Sequence, residues 1–541
     1  MNVPENTTPT TASGSPSDKS GAYSSVPIYR GPSEGGPTDL FSMHAAMRPT
    51  KLALVCEERS RTYAELNARA NRIANALKSL GVQAGDRVAV MAHNSLEGIE
   101  MSAGIGKISA MHVPVNYRLR EHEVAYILND SGAKAIVVGP ELVEVVERAR
   151  AEVPGKPAYI AIGGEAPVGW LHYEALLAAS ERPPIGESSL GSAMHYTSGT
   201  TGNPKGAYRP TSVSPQAVLG IVQAFELVET DVHLLAGPLY HSAPSFFTSI
   251  SLVLGATVVV LPKFDATEAL RLIDRHRITT TFMAPTLLQR LCDVPNEVAA
   301  RFNTSSLRAI ILGGAPCPYA LKVRAVKRFG ECLWEFYGAT ETGFVTILRP
   351  EDQLRKPGSC GQAALNQDIR LLDEAGQLVP DGTPGEIWAR NSWLAQYYNK
   401  PEATAKSMRD GFFSVGDIAY RDPEGYYYIC DRKIDMIISG GVNIYPAEIE
   451  AVLIAHPAVS DVAVIGVPDP HWGESVKAVV ELRPGTSASA EELIAFCAER
   501  LADYKRPRSV DFVDELPRNP AGKLLKVQIR ELYWAGAGRR I

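Results

Sequence analysis

The sequence predicts an α/β fold: a large N-terminal region of layered α/β units, followed by a smaller α+β unit. Three observations carry that reading. Short apolar runs alternate with helix-periodic segments over most of the chain, tight glycine turns follow several of those runs, and the texture changes near residue 431. At 541 residues the chain is too long for one ordinary core and has room for roughly three or four domain-sized units.

Residues 1–25 are dominated by Thr, Ser, Pro and Gly and read as a disordered tail. The large region is taken as 26–431. Within it, "RTYAELNARANRIANALKSLG" offers a capping box from Thr62 to Glu65, apolar residues at helical spacing and a stop at Gly81. "RVAVM" (87–91) and "KAIVVG" (134–139) read as buried strands. The rhythm continues with strand 257–262, helix 268–278 and strand 280–284, and "LRAIILGGAP" (307–316) is a strand entering a glycine turn. Ligands in such folds sit at the carboxyl ends of the strands, where those turns fall. A linker is placed at 432–435 and the small unit at 436–541, with helices near 447–455 and 491–501 around strands "DVAVIGV" and "VKAVVEL".

Composition narrows the function class. A net charge of -6 provides no broad basic surface for nucleic acid or an anionic membrane. The seven cysteines show neither CxxC nor zinc spacing, and read as reduced thiols of a cytoplasmic protein. No apolar run is long enough to span a bilayer, and the N-terminus lacks the apolar stretch of a signal peptide.

"YTSGTTGNPKGAYRP" (196–210) has the chemistry of a phosphate cradle. Gly199, Gly202 and Gly206 let backbone N–H groups approach an anion. Thr197, Ser198, Thr200 and Thr201 add hydroxyls, and Lys205 adds a charge. It is not a Walker A loop: Pro204 precedes the lysine where glycine is required, and Gly206 follows it in place of Ser or Thr. A polar linker between strands is the plain alternative, and the hydroxyls and lysine inside a glycine frame speak against it.

This loop resembles the signature of the adenylate-forming superfamily, which includes acyl-CoA synthetases, peptide-synthetase adenylation domains and luciferases. "YGATE" (337–341), "GDIAY" (416–420), "DRKIDMIISGGVNIYP" (431–446) and "PRNPAGK" (517–523) follow in the superfamily's order, and the likeness runs from about 35 to 535. It implies a large adenylation domain at 26–431 carrying the ATP and acyl sites. It also implies a hinge at 432–435 and a mobile C-terminal domain at 436–541. The implied reaction joins a carboxylic acid to the α-phosphate of ATP with loss of pyrophosphate, and a thiol, usually that of CoA, then displaces AMP. ATP, Mg2+ and CoA are the implied cofactors, and a homodimer is admitted as the oligomeric state.

The same resemblance assigns roles. The 197–205 loop would hold the departing β- and γ-phosphates, and Lys523 would bridge the carboxylate and the α-phosphate. Thr340 would donate to the α-phosphate and Glu341 would associate with magnesium. Tyr337, with Gly338 beside it, would stack on adenine opposite Gly313, Gly314 and Ala315. Asp417 would take the ribose hydroxyls, joined by Arg432. His241 in "GPLYHSAP" would close the acyl pocket, with Phe246, Phe247, Met283, Phe336 and Phe344 as wall candidates. Gly440 and Gly441 would line the pantetheine passage, and Trp472, Tyr504, Lys505 and Arg506 would meet CoA's nucleotide end. Plainer readings stand beside these: Tyr337 as a core aromatic, Asp417 with Arg432 as a surface ion pair, 504–506 as a solvated basic turn.

Two positions depart from the pattern. Ile434 occupies a hinge position that is commonly polar, and Val442 stands where many relatives have Glu. The expected function is an acid–CoA ligase for a medium-chain fatty or aryl acid. The competing expectations are an adenylating enzyme that passes its acyl group to an amine or carrier protein, a binding protein without turnover, and a luciferase. The absence of a carrier domain after 541 weighs against a peptide-synthetase module, and the retained Lys205, Glu341, Asp417, Arg432 and Lys523 weigh against lost turnover.

Overall fold

The computed structural model describes residues 39–180, 192–197, 203–210, 213–433, 435–439, 442–518 and 524–535. The helix at Tyr63–Ser79 begins as its sequence dictates. Thr62 accepts from the Glu65 N–H while the Glu65 carboxylate accepts from the Thr62 N–H, satisfying two otherwise orphaned donors. It ends before Gly81, whose φ of 85° suits a residue without a Cβ.

Two largely parallel sheets form the body of the N-terminal region. The first has six strands, with Ala135–Val138, Arg87–Met91 and Met111–Pro114 at its centre. Their near-continuous Val, Ala and Ile runs are buried, as expected for strands covered on both faces. The second has nine strands. Six run parallel, from Leu333–Ala339 through Ala309–Leu312, Thr280–Met283, Val232–Leu235 and Thr257–Val260 to Leu52–Cys56. Antiparallel strands close both of its edges.

A six-stranded antiparallel sheet spans Asp368–Leu372 to Tyr427–Arg432, a layer the alternation pattern did not announce. Its strands are short and half-exposed, so their apolar signal is weak. A small three-stranded sheet pairs Lys205–Tyr208 with His195–Thr197 and Gln396–Tyr397, placing the two ends of the glycine loop side by side.

The C-terminal unit is α+β, built on the long hairpin Val459–Asp469 with Gly473–Leu482. Its own core joins Ile437, Ile449, Leu453, Val464, Val480 and Leu493. Asp431, the last residue but one of the strand Tyr427–Arg432, reaches into this unit: Oδ2 accepts from the Ala447 N–H at 2.8 Å, capping the helix Pro446–Leu453. All seven cysteines are free, six of them buried. Among the described residues no helix is long and apolar enough to cross a membrane.

Candidate active site

A cleft of about 2580 Å³ opens where strand ends and loops converge. Thr197, Lys205, His241, Gly313, Gly314, Ala315, Gly338, Thr340, Glu341 and Arg432 all line it, so five separate sequence motifs meet at one place.

Glu341 is its electrostatic centre on one side. The carboxylate is 7% exposed, and Oε1 accepts from Thr197 Oγ1 at 2.9 Å and from Tyr397 Oη at 3.1 Å. Among the described residues no cation stands within ion-pair distance of it. Lys205 Nζ lies over the Tyr397 ring at 5.0 Å, so one tyrosine touches both the acidic and the basic member of the site.

The 337–343 turn owes its shape to glycine. A Cβ on Gly338 would stand 1.9 Å from the Gly343 carbonyl oxygen, and one on Gly313 would stand 2.7 Å from the Phe336 ring. Thr340 Oγ1 is 3.2 Å from Ser242 Oγ, and the Thr340 carbonyl accepts from Arg209 Nη2 at 2.9 Å.

Tyr337 Oη donates to Asp417 Oδ2 at 2.7 Å, and Arg432 Nε stands 3.4 Å from Asp417 Oδ1. Asp417 and Arg432 face each other across paired strands. Asp417 is 8% exposed while the Arg432 side chain is 33% exposed, so a buried carboxylate is paired with a half-buried guanidinium; Arg432 lines the cleft, and Tyr337 and Asp417 stand behind it. Burial, and then the Asp417 charge, push the Tyr337 hydroxyl well above its ordinary pKa.

His241 occupies the position before the helix Ser242–Leu254 without a side-chain bond to it, and burial, aided by Arg118, lowers it to about 4. Burial also lowers His112 to about 4 and His195 to about 3. The histidines around the cleft are therefore neutral at pH 7.

The apolar candidates divide. Phe246, Phe336 and Phe344 line the cleft, with Phe344 4.7 Å from Phe336 and 5.0 Å from Phe246 between ring centroids. Phe247 and Met283 do not. Both are 0% exposed and belong to the packed cores, Phe247 standing behind Phe246 and Phe344 at 5.4 and 5.9 Å between ring centroids.

Other expected site residues are not brought to the cleft. Trp472 and Tyr504 are exposed on the C-terminal unit, Arg506 is paired with Asp503 at 2.8 Å, and Lys505 with Glu448 at 2.7 Å. Lys505 thus has an internal carboxylate partner that the sequence did not suggest. Ser198, Gly199, Thr200, Thr201, Gly202, Ile434, Gly440, Gly441 and Lys523 lie outside the described residues. Arg518, five positions before Lys523, does line the cleft.

Three participants were missed. Tyr397 lies in "LAQYY", which has no motif character. Arg209 and Tyr196 both stand inside the quoted glycine-loop stretch, yet were passed over for its hydroxyls and lysine. Arg209 Nε donates to the Trp393 carbonyl at 2.6 Å, and burial lowers its pKa to about 10.

Comparison with known proteins agrees with this geometry. The AMP-binding enzyme profile matches residues 41–399, and that of the AMP-binding enzyme C-terminal domain matches 448–523. The chain is 38% identical over 486 residues to the long-chain-fatty-acid–CoA ligase FadD13 of Mycobacterium tuberculosis, covering 88% of this chain and 93% of that protein. It is also 38% identical over 497 residues to a feruloyl-CoA synthase of Amycolatopsis, covering 90% and 97%. The crystal structure of the anthranilate CoA ligase AuaEII with anthranoyl-AMP superposes with a TM-score of 0.84 at 29% identity, covering 93% of this chain and 98% of that one. The chain belongs to the AMP-binding enzyme family, among its ATP-dependent, AMP-forming acid–CoA ligases.

Proposed function

We propose that this ligase activates a medium-chain fatty or aryl acid, in a cytoplasmic setting suited to its free thiols. The observation that carries the substrate class is the apolar part of the cleft. Phe246, Phe336, Phe344 and Trp393 wall it together with Val222 and Ile250, and it shares its space with Thr340 and His241. Such a wall favours a ring or a chain over a small polar acid. The relatives named for fatty and for aryl acids support both members of the class.

Neither half of the reaction needs a protein nucleophile, so positioning and charge stabilisation do the work. The acid's carboxylate oxygen attacks the α-phosphorus and pyrophosphate leaves; the CoA sulfur then attacks the acyl carbon and AMP leaves. Lys205 and the loop hydroxyls hold the β- and γ-phosphates, and Thr340 donates to the α-phosphate. Asp417, kept in place by Tyr337 and Arg432, receives the ribose hydroxyls. Neutral His241 closes the acid pocket without adding a cation beside the carboxylate. Lys523 supplies that cation, and the match of the C-terminal profile through residue 523 supports the assignment.

Glu341 suits Mg2+: it is a buried carboxylate whose hydrogen bonds all fall on Oε1. Magnesium typically keeps one or two carboxylates, several waters and phosphate oxygens, which fits a site with no cluster of three ligating side chains among the described residues. When bound, the ion neutralises charge on the phosphates.

The test is acid-dependent pyrophosphate release across fatty, aryl and short-chain acids, with and without CoA, the products being identified by mass spectrometry. Acyl-CoA from one chain class supports the reading. Acyl-adenylate without thioester would redirect it to another acceptor. Lys523→Ala is expected to slow adenylation by about two to three orders of magnitude.

A further inference from the structure

Asp130 ends the helix Glu121–Ser131, in a segment that no motif marks. Its Oδ2 accepts from Tyr196 Oη at 2.8 Å, and its Oδ1 accepts from Lys400 Nζ at 2.9 Å. Lys400 also donates to Tyr126 Oη at 3.3 Å, and that hydroxyl stands 3.1 Å from the Pro204 carbonyl, its nearer acceptor, and 3.4 Å from Asp130 Oδ1. Tyr196 lies in the strand that enters the glycine loop, and Pro204 immediately precedes Lys205 where the chain leaves it. One carboxylate, 13% exposed, therefore holds both ends of that loop through side chains from three distant parts of the sequence.

We infer that Asp130 is a positioning residue for phosphate binding, holding Tyr196 and Pro204 in place so that Thr197 and Lys205, which follow them in the chain, meet the β- and γ-phosphates. The inference rests on the reading above that this loop receives the triphosphate. Asp130, Tyr126 and Lys400 are absent from the cleft lining, whereas Tyr196, Pro204 and Lys205 belong to it, so Asp130 acts through the others. The physical need is clear. A binding group held in place before its ligand arrives spares part of the ordering cost of binding, and Thr197 and Lys205 face each other on the two paired strands that Asp130 braces. The hydrogen bond from Lys400 is charge-assisted, and its carboxylate partner raises the lysine's pKa, so the cation persists at neutral pH.

A loop that holds only the two distal phosphates should matter for ATP and not for AMP. The experiment is calorimetric titration of Mg·ATP and, separately, of AMP into the wild-type full chain, Asp130→Asn and Tyr126→Phe. Asp130→Asn faces an amide N–H2 or a weaker acceptor toward Lys400 and breaks one arm. It is expected to weaken ATP about tenfold while AMP changes less than about twofold. Tyr126→Phe removes the hydroxyl that links Lys400 to the Pro204 carbonyl while leaving Asp130 its bonds from Tyr196 and Lys400, and should shift ATP in the same direction by about threefold; it carries the test if Asp130→Asn does not fold. As a second readout, acyl-CoA formation from supplied acyl-adenylate and CoA should stay at the wild-type rate. Equal weakening of ATP and AMP, or no weakening of either, would overturn the inference. A wild-type chain that does not bind ATP would instead bring down the reading of the loop itself.

Discussion

Arg209 holds the 337–343 turn from behind: its Nη2 donates to the Thr340 carbonyl at 2.9 Å while its Nε donates to the Trp393 carbonyl at 2.6 Å. No carboxylate lies within ion-pair distance of this guanidinium among the described residues, although the Glu341 charge favours it at longer range. Arg209→Met keeps much of the stem's volume and strips both donors. Each carbonyl left without a partner costs about 1–3 kcal/mol, so a stability loss on the order of 3 kcal/mol is expected in urea unfolding. Adenylation should fall as well, because Thr340 loses its support. Retention of both wild-type stability and wild-type adenylation would show that the turn holds itself.

Gly338→Ala should be worse for catalysis than for many larger changes elsewhere. The added methyl would stand 1.9 Å from the Gly343 carbonyl oxygen, a backbone atom that cannot rotate away as a flexible side chain could. The strand pairing of Gly338 with Phe344 must shift, carrying Thr340 and Glu341 with it. A displacement of about 1 Å in a positioning enzyme costs on the order of a hundredfold. Pyrophosphate release at saturating ATP and acid checks this, and a loss of less than about fivefold would refute it.

The candidate residues that the structure gathers in one cleft belong to continuous motifs whose glycines and hydroxyls are informative in themselves. Lys205, Gly313, Glu341 and Arg432 reach one cleft for that reason. Asp130, Arg209 and Tyr397 were illegible because each is an ordinary residue whose role arises from tertiary pairing with atoms far away in sequence. Phe247 and Phe246 show the same limit at closest range. They are neighbours of the same type on one helix, and only their helical phase decides that one lines the cleft and the other fills the core. The parallel strands were readable as buried apolar runs, whereas the antiparallel layer from 368 to 432 was not, since strands such as Gly385–Arg390 carry mixed, half-exposed residues.

Desolvated histidines make stability depend on pH. Burial lowers His112, His233 and His241 to about 4 and His195 to about 3. An unfolded histidine titrates near 6.5, so between about 4 and 6.5 the unfolded chain binds more protons than the folded one. Their contribution is fully present above the unfolded value and is lost as pH falls toward the folded one. The slope is up to about 1.4 kcal/mol per pH unit for each fully buried group. The urea midpoint should therefore drop steadily from pH 7 to pH 5, before most carboxylates titrate. His233, 1% exposed and 3.0 Å from Thr280 Oγ1, gives the single-site check: His233→Gln should make the slope shallower. A midpoint that does not change over this range would contradict the neutral assignment.

Lys526 and Glu450 form a largely buried pair at 2.8 Å, with side chains 12% and 19% exposed. Burial pushes the Glu450 carboxyl up while Lys526 holds it down, and the charges of Glu450, Asp431 and Asp435 outweigh burial to raise the Lys526 ammonium. Glu450 Oε1 also accepts from the Val464 N–H at 2.7 Å, so the pair joins the helix Pro446–Leu453 to the central hairpin of the C-terminal unit. Lys526→Met leaves Glu450 and Asp431 without their cation and should cost about 3–5 kcal/mol. The double variant Lys526→Met with Glu450→Gln retains an acceptor for Val464 and removes one of the stranded charges, so it should recover a substantial part of that loss. Thermal unfolding of both variants decides the matter. A double variant no more stable than the single one would mean that Asp431, which caps the same helix from the strand Tyr427–Arg432, is the carboxylate that Lys526 chiefly serves.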